Sequence, residues 1–244
     1  MQKTLIILIT GFVLLGVGAF SLWRLIERNT PPPTPRTTVT IPEGWMVEEI
    51  NALLKQEGIL VDSELSKELE GYLFPDTYEF FLDSSLEVVE NRFKENFQER
   101  ILELDLSMED KDLKEIVVMA SLIEKEVKDP KEQRIVSGVL WKRIENSVPL
   151  QVDATLCYIK AQRGSTCLPI AKSDKDIDSP YNTYLYRGLP PNPIGSPGFS
   201  ALSAAANPAD SPYWYYISNP ETGSTIFAST LDEHNLNIVK YLSE

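Results

Sequence analysis

An uncharged apolar run near the amino terminus constrains this chain most. Thr4 to Trp23 are twenty consecutive residues without Asp, Glu, Lys or Arg. As an α-helix with a rise of about 1.5 Å per residue, the run would span roughly 30 Å of hydrocarbon, with Trp23 at the interface. A cleaved signal peptide is the alternative, but the run is long for one and no Ala-x-Ala site follows it. We therefore predict a single transmembrane helix, whose orientation the flanking charges of Lys3, Arg24 and Arg28 do not decide.

The composition limits the chemistry that is available. Among the 244 residues, 36 Asp and Glu outweigh 23 Lys and Arg, and the formal net charge of -13 disfavours nucleic-acid binding. One His and two Cys are too few for a structural zinc site. The sequence also lacks a P-loop, a GxGxxG motif and a GxSxG motif. We therefore expect no metal and no cofactor, and chemistry that relies on carboxylates, hydroxyls and aromatic rings.

Hydrophobic periodicity predicts an α+β protein that has four parts. These are an amino-terminal tip and anchor (1–28), a Pro-rich linker (29–38), a small βα module (39–62) and a larger mixed domain with helices (63–244). The βα module is too small to fold alone, so it should pack onto the larger domain. Within that domain, the pattern predicts helices from about Ser85, at 110–128, 131–146 and 153–162, a loop over 163–212, and a closing β-hairpin followed by a helix.

The two cysteines leave two interpretations open. Cys157 and Cys167 have nine residues between them and could close a small disulfide loop in an oxidising compartment. Both could equally stay reduced, with Cys157 as a small buried hydrophobe.

The predicted helix over 110–128 carries a carboxylate within its apolar stripe. At 100° per residue, Glu124 lies near the centre of the stripe, whereas Glu126 points about 200° away, toward water. Burial raises the pKa of a carboxyl group, so Glu124 could stay protonated near neutral pH and act as an acid. The alternative is a structural ion pair with Arg134 or Arg143. The stripe consists of Leu113, Ile116, Val117, Ala120 and Val127.

Two tracts supply the side chains that would suit a sugar polymer as ligand. They are LQVDAT (150–155) and SPYNTY (179–184). Aromatic faces stack on sugar rings, while amides and carboxylates hydrogen-bond hydroxyl and acetamide groups. Each residue also has a structural interpretation, as a core Tyr, a turn Asn or a helix-capping Asp.

Several tracts, in order along the chain, resemble the bacterial YceG-like family of endolytic murein transglycosylases. The resemblance covers about residues 39–244 and implies a single-pass inner-membrane protein with its amino terminus in the cytoplasm. It also implies an extracytoplasmic catalytic domain behind a LysM-like module, which is shortened here to 39–62. The matching tracts are EGYLFPDTY (70–78), ASLIEKEV (120–127), LQVDAT, SPYNTYLYRGLPPNPIGSPG (179–198) and the closing hairpin with its helix.

The resemblance also implies an activity. The family cleaves the MurNAc–GlcNAc β-1,4 bond within nascent peptidoglycan strands and leaves 1,6-anhydro-MurNAc ends, without a cofactor and beside the peptidoglycan synthases. The resemblance assigns the role of catalytic acid to Glu124, the first Glu of ASLIEKEV. One carboxyl group suffices, because the substrate's own C6 hydroxyl attacks C1. The remaining tracts give the expected glycan cleft, which consists of Gln151, Asp153, Tyr181, Asn182, Thr183 and Tyr184.

The chain departs from the family pattern at a few positions. Val127, Ala154 and Asn207 stand where the family usually has Thr, Pro and His. His234 resembles the His of a Ser-His-Asn tract, although a helix-packing role is the simpler interpretation. Two other functions stay open, namely a glycan hydrolase that uses a second carboxylate such as Asp153, and a non-catalytic peptidoglycan-binding scaffold.

Overall fold

The computed structural model describes residues 35–104 and 112–242, and the described residues from Arg36 onward belong to one compact unit. Its mixture of helices and small antiparallel sheets confirms the predicted α+β class. In chain order, the described elements are β1 (Arg36–Thr40), α1 (Val47–Gln56), β2 (Thr77–Phe81), α2 (Leu86–Leu102), α3 (Leu113–Glu126), α4 (Pro130–Glu145), α5 (Asp153–Gln162), α6 (Phe199–Ala206), β3 (Tyr215–Ser218), β4 (Thr225–Ala228) and α7 (Leu231–Leu242), with short 3-10 helices at Lys67–Leu69 and Lys172–Asp176.

The predicted membrane span lies outside these residues. Over 35–104 and 112–242, no helix combines the length and the apolar character that crossing a membrane requires. The span at Thr4 to Trp23 therefore stays a prediction.

The amino-terminal elements share one core. Strands β1 and β2 pair antiparallel, with Val39 opposite Tyr78. The inward side chains of this sheet pack with α1 and with Val89 and Phe93 of α2. Because β2 and α2 both follow residue 62, the predicted βα module (39–62) packs against the residues after it, as expected. Its LysM-like character stays a prediction.

The start of α2 shows how a local hydrogen bond fixes a helix boundary. The sequence predicts that this helix begins at about Ser85, and the structure has its first helical residue at Leu86. The Oγ atom of Ser85 accepts a hydrogen bond from the Val88 amide, whereas the Ser84 hydroxyl donates to the Phe81 carbonyl. Ser85 is therefore the N-cap, and it satisfies an amide that the first turn leaves free.

Helix α3 forms the centre of the larger core. Its residues from Ile116 to Ile123 are all buried, and α4, α5 and α6 pack around it. Helix α6 was missed inside the predicted loop 163–212. Its sequence, FSALSAAA, is apolar or small on every face, so it shows no helical alternation of polar and apolar residues. The same small side chains let α6 approach α3 and α4 closely.

Gly138 in α4 allows a close backbone contact. A Cβ atom at this position would overlap the carbonyl oxygen of Ala209, whose amide donates to the Arg134 carbonyl at 2.9 Å. We expect Gly138→Ala to lower the free energy of unfolding by about 1–3 kcal/mol through overpacking, although alanine alone would favour the helix by about 1 kcal/mol. Urea denaturation measures the change, and an equal or higher midpoint would contradict the packing described here.

Candidate active site

Glu126, at the end of α3, is half-buried, and its carboxyl group lies beside Tyr216, Ala154 and Asp153. Burial raises the pKa of Glu126 to about 7, although hydrogen bonds from the Tyr216 hydroxyl and the Ala154 amide oppose the shift. The nearby charge of Asp153 also raises this pKa. The expectation that Glu126 points toward water was therefore wrong. The helical pattern takes account of α3 alone, whereas β3 and the start of α5 cover this end of the helix.

A pocket of about 560 Å³ lies beside the Glu126 carboxyl group, and we call it the acid pocket. Three of the predicted cleft residues, Gln151, Asp153 and Tyr184, line it. The Tyr184 hydroxyl donates to the Asp153 carboxylate at 2.5 Å. The rest of the lining is mostly polar or aromatic and includes Arg143, Lys175, Tyr216 and His234.

The segment that carries Gln151 is held in an unusual conformation. Gln151 has a φ of 55°, which is the left-handed region and costs a non-glycine residue energy. Its amide donates to the Thr183 carbonyl at 3.1 Å. The buried guanidinium of Arg143 donates to the carbonyls of Leu150 at 2.8 Å and Trp214 at 2.9 Å. Arg143 therefore joins the Gln151 segment to the end of the hairpin and fixes one wall of the acid pocket.

Removal of the Arg143 guanidinium should destabilise the fold. We expect Arg143→Met to lower the free energy of unfolding by about 3 kcal/mol, because two buried carbonyl groups lose their partners. The control is Arg134→Met, since Arg134 is exposed and donates to one carbonyl, that of Asn207. Its expected cost is below about 1 kcal/mol. Equal losses in the two variants, measured by urea denaturation, would contradict this role for Arg143.

The other three predicted cleft residues lie elsewhere. The Tyr181 ring packs against that of Tyr158, with centroids 4.9 Å apart, and lines a different pocket. Asn182 is fully buried, and its amide group donates to two backbone carbonyls in the 175–177 turn. Thr183 is 2% exposed and accepts a backbone amide hydrogen bond. Asn182 and Thr183 thus support the loop and present no surface to a ligand.

Glu124 is held between two loops. Its carboxylate accepts a hydrogen bond from the Gly198 amide at 3.0 Å. Burial raises the pKa of Glu124, and the charge of Glu43 raises it further. The structure does not show the ion pair with Arg134 or Arg143 that was the alternative for Glu124. Within the described residues, both guanidinium groups donate their hydrogen bonds to backbone carbonyls.

The two loops around Glu124 interlock through their backbones. The Gly44 amide donates to the Ser196 carbonyl at 2.7 Å, and the Ser196 amide donates to the Trp45 carbonyl at 2.8 Å. A side chain at Gly195 would meet the Gly44 carbonyl. The PIGSPG tract (193–198) therefore binds the 42–45 turn over the Glu124 carboxyl group.

His234 and the cysteines complete the surroundings of Glu126. The His234 ring stacks on Tyr215, with centroids 5.0 Å apart, and burial lowers its pKa. Cys157 and Cys167 form a disulfide. It lines a third pocket of about 440 Å³, which Glu126 also lines.

Among the described residues, no group of three His, Cys, Asp or Glu side chains is arranged to hold a metal ion.

Comparison with known proteins shows the family to which this chain belongs. The model of the YceG-like family matches residues 17–240, so the chain belongs to this family, as the sequence tracts predicted. An endolytic murein transglycosylase of Bacillus subtilis (strain 168) is 35% identical over 183 residues, which cover 72% of this chain and 48% of the relative. An enzyme of the same name from Streptococcus pneumoniae serotype 2 is 28% identical over 187 residues, which cover 75% of this chain and 34% of that protein.

A solved structure agrees with the fold. The crystal structure of a YceG-like protein from Listeria monocytogenes superposes with a TM-score of 0.70 at 28% identity, and covers 86% of this chain and 78% of that one. The chain spans about half the length of the B. subtilis relative and about a third of the S. pneumoniae one.

Proposed function

We propose that this chain is a membrane-anchored endolytic transglycosylase of peptidoglycan, with Glu126 as the proton donor. One observation carries the proposal, namely that a buried carboxyl group with a pKa of about 7 lines a pocket rich in polar and aromatic side chains. The names of the curated relatives supply the class of substrate and the type of reaction.

The reaction follows from a single carboxyl group. Protonated Glu126 gives its proton to the glycosidic oxygen between MurNAc and GlcNAc, and the C1–O bond breaks. The MurNAc C6 hydroxyl then bonds to C1 of the oxocarbenium-like centre and returns its proton to the Glu126 carboxylate. The products are a 1,6-anhydro-MurNAc end and a free GlcNAc hydroxyl. No water is consumed and the acid is regenerated.

The geometry favours Glu126 over Glu124 as the acid. The Gly198 amide donates to the Glu124 carboxylate, and two interlocked loops lie beside it. Glu126 lines both the acid pocket and the pocket next to it. We therefore assign the acid to Glu126 and a loop-holding role to Glu124, the candidate from the sequence.

The cleft is assigned in the same way. Gln151, Asp153 and Tyr184 contact the glycan around the scissile bond, because all three line the acid pocket. Asn182 and Thr183 position the loop that carries Tyr184.

The hydrolase alternative has one supporting observation, because Asp153 is close enough for its charge to raise the Glu126 pKa. A water activated by Asp153 would give reducing ends in place of anhydro ends.

Product analysis tests the proposal. The full chain is incubated with uncrosslinked peptidoglycan strands, and the new ends are identified by mass spectrometry. We expect internal cuts that leave 1,6-anhydro-MurNAc. Reducing ends would overturn the transglycosylase mechanism in favour of a two-carboxylate hydrolase, and intact strands with a folded protein would favour the scaffold.

The location belongs to the same proposal. Thr4 to Trp23 would anchor the chain, with the catalytic domain on the extracytoplasmic side, where glycan strands and their synthases meet. The disulfide between Cys157 and Cys167 is consistent with an oxidising compartment. External protease added to spheroplasts should digest the domain, and full protection would contradict this orientation.

A further inference from the structure

A second pocket, of about 580 Å³, lies along α5 and away from the acid pocket. We call it the distal pocket. Tyr158 on α5 and Tyr181 form an aromatic wall, with their rings tilted by 43° and 4.9 Å apart. Its polar lining includes Gln162, Asn192 and Glu70. None of these side chains has a role in the chemistry at Glu126.

Two amide side chains, Gln162 and Asn192, lie beside the aromatic wall, in a lining that also has the charged side chains of Lys67, Glu68, Arg163 and Asp178. The Asn192 amide group donates to the Tyr181 hydroxyl at 3.3 Å, and it lies on an exposed residue. Gln162 accepts a hydrogen bond from Lys67 at 3.0 Å. Aromatic faces beside amide groups suit a sugar ring that carries hydroxyl and acetamide substituents.

Glu70 brings a buried carboxyl group to this pocket. The residue is 4% exposed, and its Oε2 atom accepts a long hydrogen bond of 3.4 Å from the Val47 amide. Its Oε1 atom has no hydrogen-bond partner among the described residues. A buried polar atom without a partner is costly, so a ligand group, directly or through a bridging water, would stabilise it. Burial raises the pKa of Glu70 to about 8, so near neutral pH the carboxyl group can donate.

A third pocket lies between the distal pocket and the acid pocket. The pocket that contains the disulfide shares Glu126 and Asp153 with the acid pocket, and shares Tyr158 with the distal pocket. Helix α5 runs from Asp153 in the acid pocket to Gln162 in the distal one, a rise of about 13 Å. The three pockets therefore lie in a row along α5, over a length greater than that of a single sugar ring.

We propose that the distal pocket is a glycan subsite, which takes an N-acetylated sugar ring of the same strand whose bond is cut at Glu126. This inference rests on the proposed function. A strand that fills both pockets is cut several rings from the distal sugar, which favours internal cleavage. It also makes the efficiency of cleavage depend on strand length.

Steady-state kinetics on two strand lengths test the subsite. The full chain is assayed on short strands that fill the acid pocket alone and on long strands that also reach the distal pocket. We expect Tyr181→Ala to lower the long-to-short ratio of kcat/KM about tenfold, mainly through KM on long strands, because it removes half of the aromatic wall. Asn192→Ala should lower the ratio less. It provides a second variant at an exposed position, should Tyr181→Ala fail to fold.

The control is Tyr241→Ala on α7, a truncation of the same size outside the lining of this pocket. We expect it to keep the wild-type ratio. A ratio unchanged in both Tyr181→Ala and Asn192→Ala would overturn the subsite, as would an equal loss on both strand lengths.

A binding measurement separates the subsite from the proposed chemistry. Calorimetry of Glu126→Gln with the same strands needs no turnover, so it can be interpreted even if the chain cleaves nothing. We expect long strands to bind about tenfold more tightly than short ones, and Tyr181→Ala in this background to remove the difference. Equal affinities for both lengths would contradict the distal subsite and leave the assignment of Glu126 untouched.

Discussion

Glu126→Gln is expected to lower the rate of glycan cleavage by at least about 100-fold, the usual range for loss of a general acid. The amide has nearly the shape of the protonated acid but cannot give up a proton to the glycosidic oxygen. Folding should be retained, because the buried site already favours an uncharged group at this position. The measurement is the initial rate of appearance of new glycan ends at pH 6, with thermal unfolding as the check on the fold.

Glu124→Gln is the matched control, two residues away on the same helix. It keeps an acceptor for the Gly198 amide, so its rate should stay within the same order of magnitude as the wild type. The reverse result, with Glu124→Gln inactive and Glu126→Gln active, would support the sequence-based acid and contradict the one assigned from the structure. Unchanged rates in both variants would exclude both carboxyl groups.

Glu70 is expected to make the fold less stable as the pH rises. Burial raises its pKa to about 8, against an ordinary value of 4.5. Well below pH 4.5 the Glu70 carboxyl group is protonated in both the folded and the unfolded chain, so its ionisation does not change the free energy of unfolding. Between these two values the unfolded chain loses the proton first. The free energy of unfolding should therefore fall, by on the order of 4 kcal/mol once the pH exceeds 8.

Glu70→Gln should remove this part of the pH dependence. We expect the variant to match the wild type at about pH 4 and to exceed it in stability at about pH 9, as measured by urea denaturation at both values. Glu68→Gln, an exposed neighbour, is the control and should follow the wild-type profile. Parallel profiles for Glu70→Gln and the wild type would show that Glu70 ionises freely in the folded state.

The fold was predictable where periodicity and capping agree. Helices α3, α4 and α5 begin and end within three residues of their predicted bounds. The side chains of Asp112 and Asp129 cap the first turns of α3 and α4. Helix α6 was not found, since its alanines give no stripe. The pairing of β1 with β2 joins segments on either side of α1, and no local pattern in the sequence encodes such a contact.

The site was predictable in its parts and not in its arrangement. Of the six residues expected in the glycan cleft, Gln151, Asp153 and Tyr184 line one pocket, and their contact with glycan stays a prediction. The orientation of Glu126 was missed, because the surface of α3 that faces away from its own core is covered by Tyr216 of a hairpin about ninety residues later. The sequence alone does not distinguish Asn182, whose side chain is buried, from an Asn that binds a ligand.

Glu126 should keep its proton up to neutral pH if it is the acid. The most direct test is an NMR titration of the chain labelled with ¹³C at the glutamate side-chain carboxyl carbon, with the Glu126 resonance assigned by its absence from the Glu126→Gln spectrum. The structure predicts a midpoint of about 7. A midpoint near 4.5, the ordinary value for glutamate, would mean that the carboxyl group is ionised at neutral pH and would contradict its role as the acid.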